Sequence, residues 1–544
     1  MAGEVRREGG GRERIEVTVG ENWRAFAVVA ATASLAAGCG SGTPRGAVPA
    51  EVRNVLVISA DDHATHAMGA YGNDRIRTPN LDRLAASGAR FERAYANCPF
   101  CTPSRQSFIT GRYPHACGVT LLQTPLAEEQ LTIADHLREL GFKTAAIGKM
   151  HFNSGLTHGF DYRIDGRDHD ANLAGSPARR PPEDQAYKPV WRPFRVPARE
   201  WLNADRLPAT GYPRPRDPAN QGLYDDDFLG TFFVRSAIDF MNRNRGERMC
   251  VWLSFYEPHS PFNFPVEFAS KHVPSDIDLP ATGPEDDRWI PAIFRDLSEH
   301  DKRGVTAAYY NSVEYLDANV GRMLDALEEA GLDETTLVVY VSDHGYLLDH
   351  HGRSEKHMMW EEVVRVPLVI RHPRLPPATE AALVELVDVM PTILDILDVP
   401  PVEGLDGRSL LGLLKGDTDE HRDLVFSEYF HDNKAMVRTE RWKYVFATGK
   451  EDLALGYKTG LGPSGLDERL YDVIADPGEF NDLAEDAASA EVLREMREEL
   501  LGVFLQTDPR AQDVPDGLTT EEALEWFLEP PEESLPPAAF VNAE

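Results

Sequence analysis

The chain has 544 residues, 42% hydrophobic and 27% charged, with 89 acidic against 56 basic side chains and a net charge of −33. That composition is ordinary for a globular protein, and the length allows one large domain with a satellite. So strong an acidic excess excludes nucleic acid as a partner, because a phosphate backbone demands a basic surface. It also repels small anions at long range, so an anionic substrate requires a locally basic pocket. Five cysteines (Cys39, Cys98, Cys101, Cys117 and Cys250) are too few for a disulfide framework. Free buried thiols are expected, with Cys98 and Cys117 the one conceivable pair.

In chain order, residues 1–24 are polar, charged and Gly-rich, and read as a disordered leader. Residues 25–39 are a run of small and apolar side chains ending Leu35-Ala36-Ala37-Gly38-Cys39. That run resembles a bacterial lipoprotein signal, with Cys39 as the acylated residue; it suits export and is too short to span a bilayer. The expectation is an exported protein, lipid-anchored or periplasmic or extracellular, tethered to a membrane by lipid alone. The competing reading is an Ala-rich extension on a cytoplasmic protein. Residues 40–52 then form a flexible linker.

A large unit follows over residues 53–410. The run 54–59 is almost wholly apolar and rich in β-branched residues, as a central parallel strand is when both its faces are covered. It ends at Asp61-Asp62-His63. The same grammar recurs three times: helix 132–140 then strand 143–147, helix 228–242 then strand 249–255, helix 307–330 then strand 337–341. Each strand delivers polar residues at its carboxyl end, where open α/β sheets bind ligands. The expected fold is α/β, a large mostly parallel sheet sandwiched by helices. Two insertions of low periodicity, 165–222 and 262–301, are placed to wall a pocket. Residues 411–515 differ in character. Strands at 424–429, 434–438, 442–446 and 469–473 and a helix at 490–505 predict a smaller antiparallel α+β subdomain there. Residues 516–544 read as an acidic, Pro-containing tail.

The most specific motif is Cys101-Thr102-Pro103-Ser104-Arg105, continued by Thr110-Gly111-Arg112. A small polar side chain at a helix N-terminus sees the positive end of the dipole and open backbone N–H groups. Pro103 suits a first turn, and Arg105 adds a forked donor for an oxyanion. Cys98-Pro99-Phe100-Cys101 also has the spacing of a redox pair, but such a pair has no use for Pro103, Ser104 and Arg105. Asp61, Asp62, Asp343 and His344 form a hard-metal set: the carboxylates suit Ca²⁺ or Mg²⁺, and the imidazole admits Mn²⁺. Lys149 and His151 stand two apart after Gly148, and an extended segment would send both to one side. His259 lies in Glu257-Pro258-His259-Ser260-Pro261 and Lys356 in Ser354-Glu355-Lys356-His357.

Taken together, these motifs resemble type I sulfatases of the alkaline phosphatase superfamily, over most of the chain from Asn54 to about Leu505. Leu470-Tyr471-Asp472 and Asp476-Pro477-Gly478-Glu479-Phe480-Asn481-Asp482-Leu483 belong to that resemblance. It implies an alkaline phosphatase-like fold and a sulfuric ester hydrolase with an anionic sulfate-ester substrate. Cys101 would be converted to formylglycine (3-oxoalanine) by a formylglycine-generating enzyme, and its hydrate would attack sulfur. One divalent cation, usually calcium, would be held by Asp61, Asp62, residue 101, Asp343 and His344. Arg105, Lys149, His151, His259 and Lys356 would complete the catalytic set. Lys149 would bind sulfate and diol oxygens, His151 would take a proton from the second hydroxyl, and His259 and Lys356 would bind sulfate and protonate the leaving alcohol. Asp343 would also help deprotonate the attacking hydroxyl. Around Lys356 the wording departs from the family, and His357 is the alternative. A sulfated carbohydrate is the expected substrate, with a small alkyl sulfate such as choline sulfate next. A phosphonate monoester or phosphodiester hydrolase and a catalytically dead glycan-binding protein are the competing functions.

Overall fold

The computed structural model describes residues 51–175, 224–448 except 261, 269, 270 and 296, and 466–529. The leader, the signal-like run and Cys39 lie outside the described residues. Most of the expected loop at 165–222 lies outside them as well.

Four apolar runs form the centre of the large sheet: β1 (Asn54–Asp61), β3 (Lys143–Gly148), β5 (Met249–Pro258) and β6 (Thr336–Ser342). With β2 (Ala89–Tyr95), β4 (Tyr162–Ile164), β9 (Arg365–Arg371) and β10 (Ala378–Glu385) they build eight strands in the order β10-β2-β9-β6-β1-β5-β3-β4. Every pairing is parallel except those of β9, which runs against β6 and β2. A two-stranded ribbon of β7 (Leu347–Leu348) and β8 (Ser354–Glu355) follows β6. Because β1 pairs with β5 on one side and β6 on the other, the carboxyl ends of these strands and of β3 meet at one rim.

Helices cover both faces. On one, Val57, Trp252 and Val339 pack under the helix Cys101–Thr110 and its neighbours; on the other, Leu56, Leu253 and Val338 pack under Leu229–Arg243 and Glu299–Glu329. The long helix begins eight residues before the apolar period that predicts it. Ser298 and Asp301 close a capping box there, and the charged first turns carry no stripe to announce a helix. This shortens the expected insertion 262–301. The insertion at 165 likewise opens on a helix, Gly166–Gly175.

The C-terminal unit is a four-stranded antiparallel sheet, β11 (Leu424–Tyr429), β12 (Lys434–Thr439), β13 (Trp442–Ala447) and β14 (Asp467–Asp472), backed by the helix Ala490–Thr507. A correction concerns its end. Thr520–Leu528, expected to be part of a loose acidic tail, is a helix whose Leu524, Phe527 and Leu528 are fully buried in this unit's core. Its capping box of Thr519 and Glu522 and its apolar stripe are masked in the sequence by a high acidic count. Asn97 stitches the two units by donating to the Phe426 carbonyl at 3.0 Å. Cys98, Cys101, Cys117 and Cys250 are all free and buried, so the conceivable Cys98–Cys117 bond is not formed. Among the described residues no helix is long and apolar enough to cross a membrane.

Candidate active site

Phe100 is extended at φ −154°, and Cys101 is the first residue of a helix that no side chain caps, so its N-terminal N–H groups are open. All ten residues of this helix are buried. Gly111 ends it in the left-handed region and accepts at its carbonyl from Asp406 and Gly407, which fixes the carboxyl end of the helix.

The rim of the sheet brings the other residues to Cys101. Lys356 Nζ lies 3.3 Å from the sulfur and donates to Asp62 Oδ1 at 2.6 Å. His344 Nε2 lies 3.4 Å from the same sulfur, its ring held by Nδ1 against the Gly345 carbonyl at 3.0 Å. Lys149 Nζ is paired with Asp61. Gly148, at φ +99°, makes that turn possible: a Cβ there would lie 1.8 Å from the Ser254 carbonyl oxygen. His259 Nε2 is 3.9 Å from Asp62 Oδ2, with its side chain 18% exposed. His151 Nδ1 is 3.1 Å from Thr102 Oγ1, which sets its ring beside the residue after the cysteine. Asp62 and His151 both hold positive φ, 69° and 56°, a strained state for non-glycine residues that is concentrated at functional sites. His357, the alternative to Lys356, turns away: its ring packs on Phe100 at 4.9 Å and Tyr429 at 5.5 Å.

One expectation is revised. The sequence casts Arg105 as a grip for an oxyanion, but four of its five N–H donors are already engaged. Nε gives to Asp343 Oδ2 at 2.8 Å, Nη1 to the Lys149 carbonyl at 2.8 Å and Ser254 Oγ at 2.7 Å, and Nη2 to the Ala60 carbonyl at 3.1 Å. Arg105 therefore positions β1, β3, β5 and Asp343 against one another. Sequence reasoning also misses Tyr309, whose hydroxyl donates to the Asp62 carbonyl and accepts from Ala64 N at 2.9 Å. No motif surrounds Tyr309 or Ser254; only the packing of helix on strand brings them in.

Burial and charge set the protonation states. Desolvation pushes the Cys101 thiol up to about 12, with Asp61 adding to the shift, so it stays a thiol. Burial raises Cys98 as well, and a redox Cys-x-x-Cys needs the opposite. Burial opposes ionisation of Asp61, but Lys149, His259, Arg105 and Lys356 hold it well below the usual carboxylate range. Asp62 and Asp343 are each held up to about 6, by burial first and then by neighbouring carboxylates. Burial and then Lys356 bring His344 down to about 4, leaving a neutral imidazole. His151 is depressed further by burial, Lys149 and Arg105.

The site fits a cation. Among the described residues no hydrogen-bond donor reaches the buried oxygens Asp61 Oδ1 and Asp62 Oδ2, with Arg105 Nη2 coming only to 3.5 Å of the first, a costly arrangement that a hard divalent ion would relieve. Ligand atoms of Asp61, Cys101, Asp343 and His344 all lie within 4.8 Å of one another, and so do those of Asp61, Asp62, Cys101 and His259.

Comparison with known proteins agrees with this geometry. Residues 53–399 match the Sulfatase family, and residues 349–506 match the family N-sulphoglucosamine sulphohydrolase, C-terminal. The steryl-sulfatase of Mus musculus is 29% identical, covering 85% of this chain and 83% of that protein. The choline-sulfatase of Rhizobium meliloti is 28% identical (82% and 86%), and the N-acetylglucosamine-6-O-sulfatase of Bacteroides thetaiotaomicron is 28% identical (84% and 87%). In fold, the chain is similar to the phosphonate monoester hydrolase of Agrobacterium radiobacter, with TM-score 0.67 and 23% identity over 84% of this chain and 96% of that one. It is also similar to a protein solved with its substrate D-glucosamine-2-N,6-O-disulfate, with TM-score 0.63 and 23% identity over 86% and 100%. Sulfatases generally use a divalent metal and a formylglycine, and the rim around Cys101 has ligands for the first and a cysteine in place for the second. With the family match spanning more than half its length, the chain belongs to the type I sulfatases of the alkaline phosphatase superfamily, hydrolases acting on sulfuric ester bonds.

Proposed function

We propose that this sulfatase cleaves a sulfate ester of a carbohydrate, with Cys101 converted to formylglycine and one divalent cation, calcium by preference, held by Asp61, Asp62, residue 101, Asp343 and His344. The observation that carries this reading is the pair of donor-less carboxylate oxygens on Asp61 and Asp62 beside a cysteine flanked by Lys356 and His344. The hydrated aldehyde supplies two hydroxyls on one carbon, one to attack sulfur and one to drive sulfate release. The cation supplies Lewis acidity toward a sulfate oxygen.

The remaining work falls to the chain's own side chains. Lys149 and Lys356 bind sulfate oxygens and offset charge that grows in the transition state. Asp343, held by Arg105, draws the proton from the attacking hydroxyl in this reading. His259, more open than Lys149 and Lys356, protonates the leaving alcohol, which departs poorly as an alkoxide. His151 is neutral; in the tautomer that gives Nδ1–H to Thr102, Nε2 is the acceptor for the second hydroxyl's proton. These basic groups answer the anion problem posed by a net charge of −33.

The carbohydrate reading draws on the relative that acts on N-acetylglucosamine-6-O-sulfate; the choline-sulfatase relative supports the small alkyl sulfate as second choice. Mass spectrometry of the Cys101 peptide, paired with Cys101→Ala on a chromogenic sulfate ester, tests the chemistry. An aldehyde in the active enzyme and loss of turnover in the variant are expected. Full activity with an unmodified thiol overturns it. The run at 25–39 supports export with lipid on Cys39, and a mature N-terminus upstream of residue 39 refutes that anchor.

A further inference from the structure

We infer that Tyr256 and Arg163 form a subsite for the alcohol portion of the substrate, and that this portion is a sugar-sized ring bearing a second negative charge. The inference rests on the sulfatase reading of the Cys101 site and adds the class of its leaving group.

Tyr256 is the one exposed residue of β5, at 37%. Its carbonyl accepts from His259 N at 2.8 Å, so ring and histidine belong to one turn. Lys149 Nζ sits 5.5 Å from the ring centroid. Behind it, Phe233 is stacked at 6.3 Å and 25°, which backs the ring and fixes its tilt. An exposed aromatic face beside the sulfate-binding lysine is a platform for the group attached to the sulfate.

Arg163 stands on the edge strand β4, its guanidinium 5.2 Å over the ring of Phe152, the residue after His151. Its Nη1 is buried and has no hydrogen-bond partner among the described residues. Burial lowers its pKa, and Tyr256, Asp165 and Asp168 are its electrostatic neighbours. None of the described carboxylates forms an ion pair with it. A buried guanidinium nitrogen left unmatched is costly, and an anionic ligand group would satisfy it.

The charges select among ligands. A quaternary ammonium would suit an isolated aromatic ring, but here it would meet Lys149 and Arg163 at like charge. A bare apolar polycycle would cover the ring and leave Arg163 unanswered. A pyranose lays its C–H face on Tyr256 and offers an anionic substituent to Arg163.

The test measures kcat/KM on glucosamine-2-N,6-O-disulfate, N-acetylglucosamine 6-sulfate and ethyl sulfate. Tyr256→Ala is expected to lower the ratio of either sugar to ethyl sulfate about tenfold, with Tyr256→Phe restoring it. Arg163→Gln is expected to lower the ratio of disulfated to monosulfated sugar about tenfold. An unchanged sugar-to-ethyl ratio in Tyr256→Ala, or an equal loss on both sugars in Arg163→Gln, overturns the subsite. Wild-type turnover of ethyl sulfate alone overturns the subsite and spares the chemistry; a wild type carrying formylglycine yet inert on all three overturns both.

Discussion

Among the described residues, two of the buried clusters of charge are built to opposite ends. At the junction of the two sheets, both oxygens of Asp388 are saturated: Oδ2 accepts from Glu385 N at 2.9 Å, His421 at 3.1 Å and Arg422 Nε at 3.0 Å, and Oδ1 from Arg408 N at 2.7 Å. Burial opposes its ionisation, yet Arg422 and His421 hold its carboxyl below the usual range. At the rim beside Cys101, Asp61 and Asp62 are equally buried but each keeps an oxygen without a donor. A closed cluster is a clasp; an open one is a site. Burial and perturbed titration are shared by both, and satisfaction of the last lone pair separates them.

The comparison can be broken at several points. The largest effect is expected at the open cluster. Asp62→Asn should lower kcat/KM by about 10³-fold or more, while the metal-free variant loses less stability than a clasp variant does, because Lys356 loses a carboxylate partner but the donor-less Oδ2 is relieved. Loss of stability in step with activity would make Asp62 a clasp residue after all. At the closed cluster, Asp388→Asn should do the reverse. Leaving Arg422 buried without its main partner should destabilise the fold by about 3–5 kcal/mol in denaturant melts, with formylglycine content and kcat of the folded fraction retained.

A third contrast uses pH. His351 donates to Asp286 at 2.8 Å, stacks on Trp360 at 3.9 Å and also faces Glu362 and His350. Burial alone would lower its pKa, but Asp286 and Glu362 raise it to about 9. A raised folded pKa contributes stability fully below about 6.5 that is lost as pH rises through about 9. His351→Gln should flatten that limb of the stability curve by on the order of 2–3 kcal/mol. An unaltered slope between pH 6.5 and 9 would remove His351 from the closed class. The smallest effect belongs to the exposed helix pair Arg494–Glu498, where Arg494→Ala should leave Tm unchanged within error.

Legibility in the sequence follows the same divide. The four central strands can be read because burial on both faces makes a strand uniformly apolar. Strands away from the centre, such as β2 with Arg90, Glu92 and Arg93 in seven residues, and the edge strand β4, three residues long, do not carry that mark. Motifs locate Asp61, Asp62, Cys101, Lys149, His259, Asp343 and Lys356, since each is local in the chain. What Arg105 does stays hidden, because its partners are the Asp343 carboxylate, the Ala60 and Lys149 carbonyls and the Ser254 hydroxyl, all distant in the chain. Tyr309 and Ser254 are hidden for the same reason, and so is the helix Thr520–Leu528, whose four buried residues sit among glutamates.

The ten-residue helix that starts at Cys101 has no residue at the surface, and the thiol itself is 2% exposed. No catalyst of protein size can reach that sulfur once the helix is docked between the sheet and the Gly111–Gly407 contact. On the proposed conversion of Cys101 to formylglycine, installing the aldehyde and burying the helix are therefore rivals in time during biosynthesis. A molecule that collapses first keeps its thiol for life, so the active fraction of any preparation records who won that race.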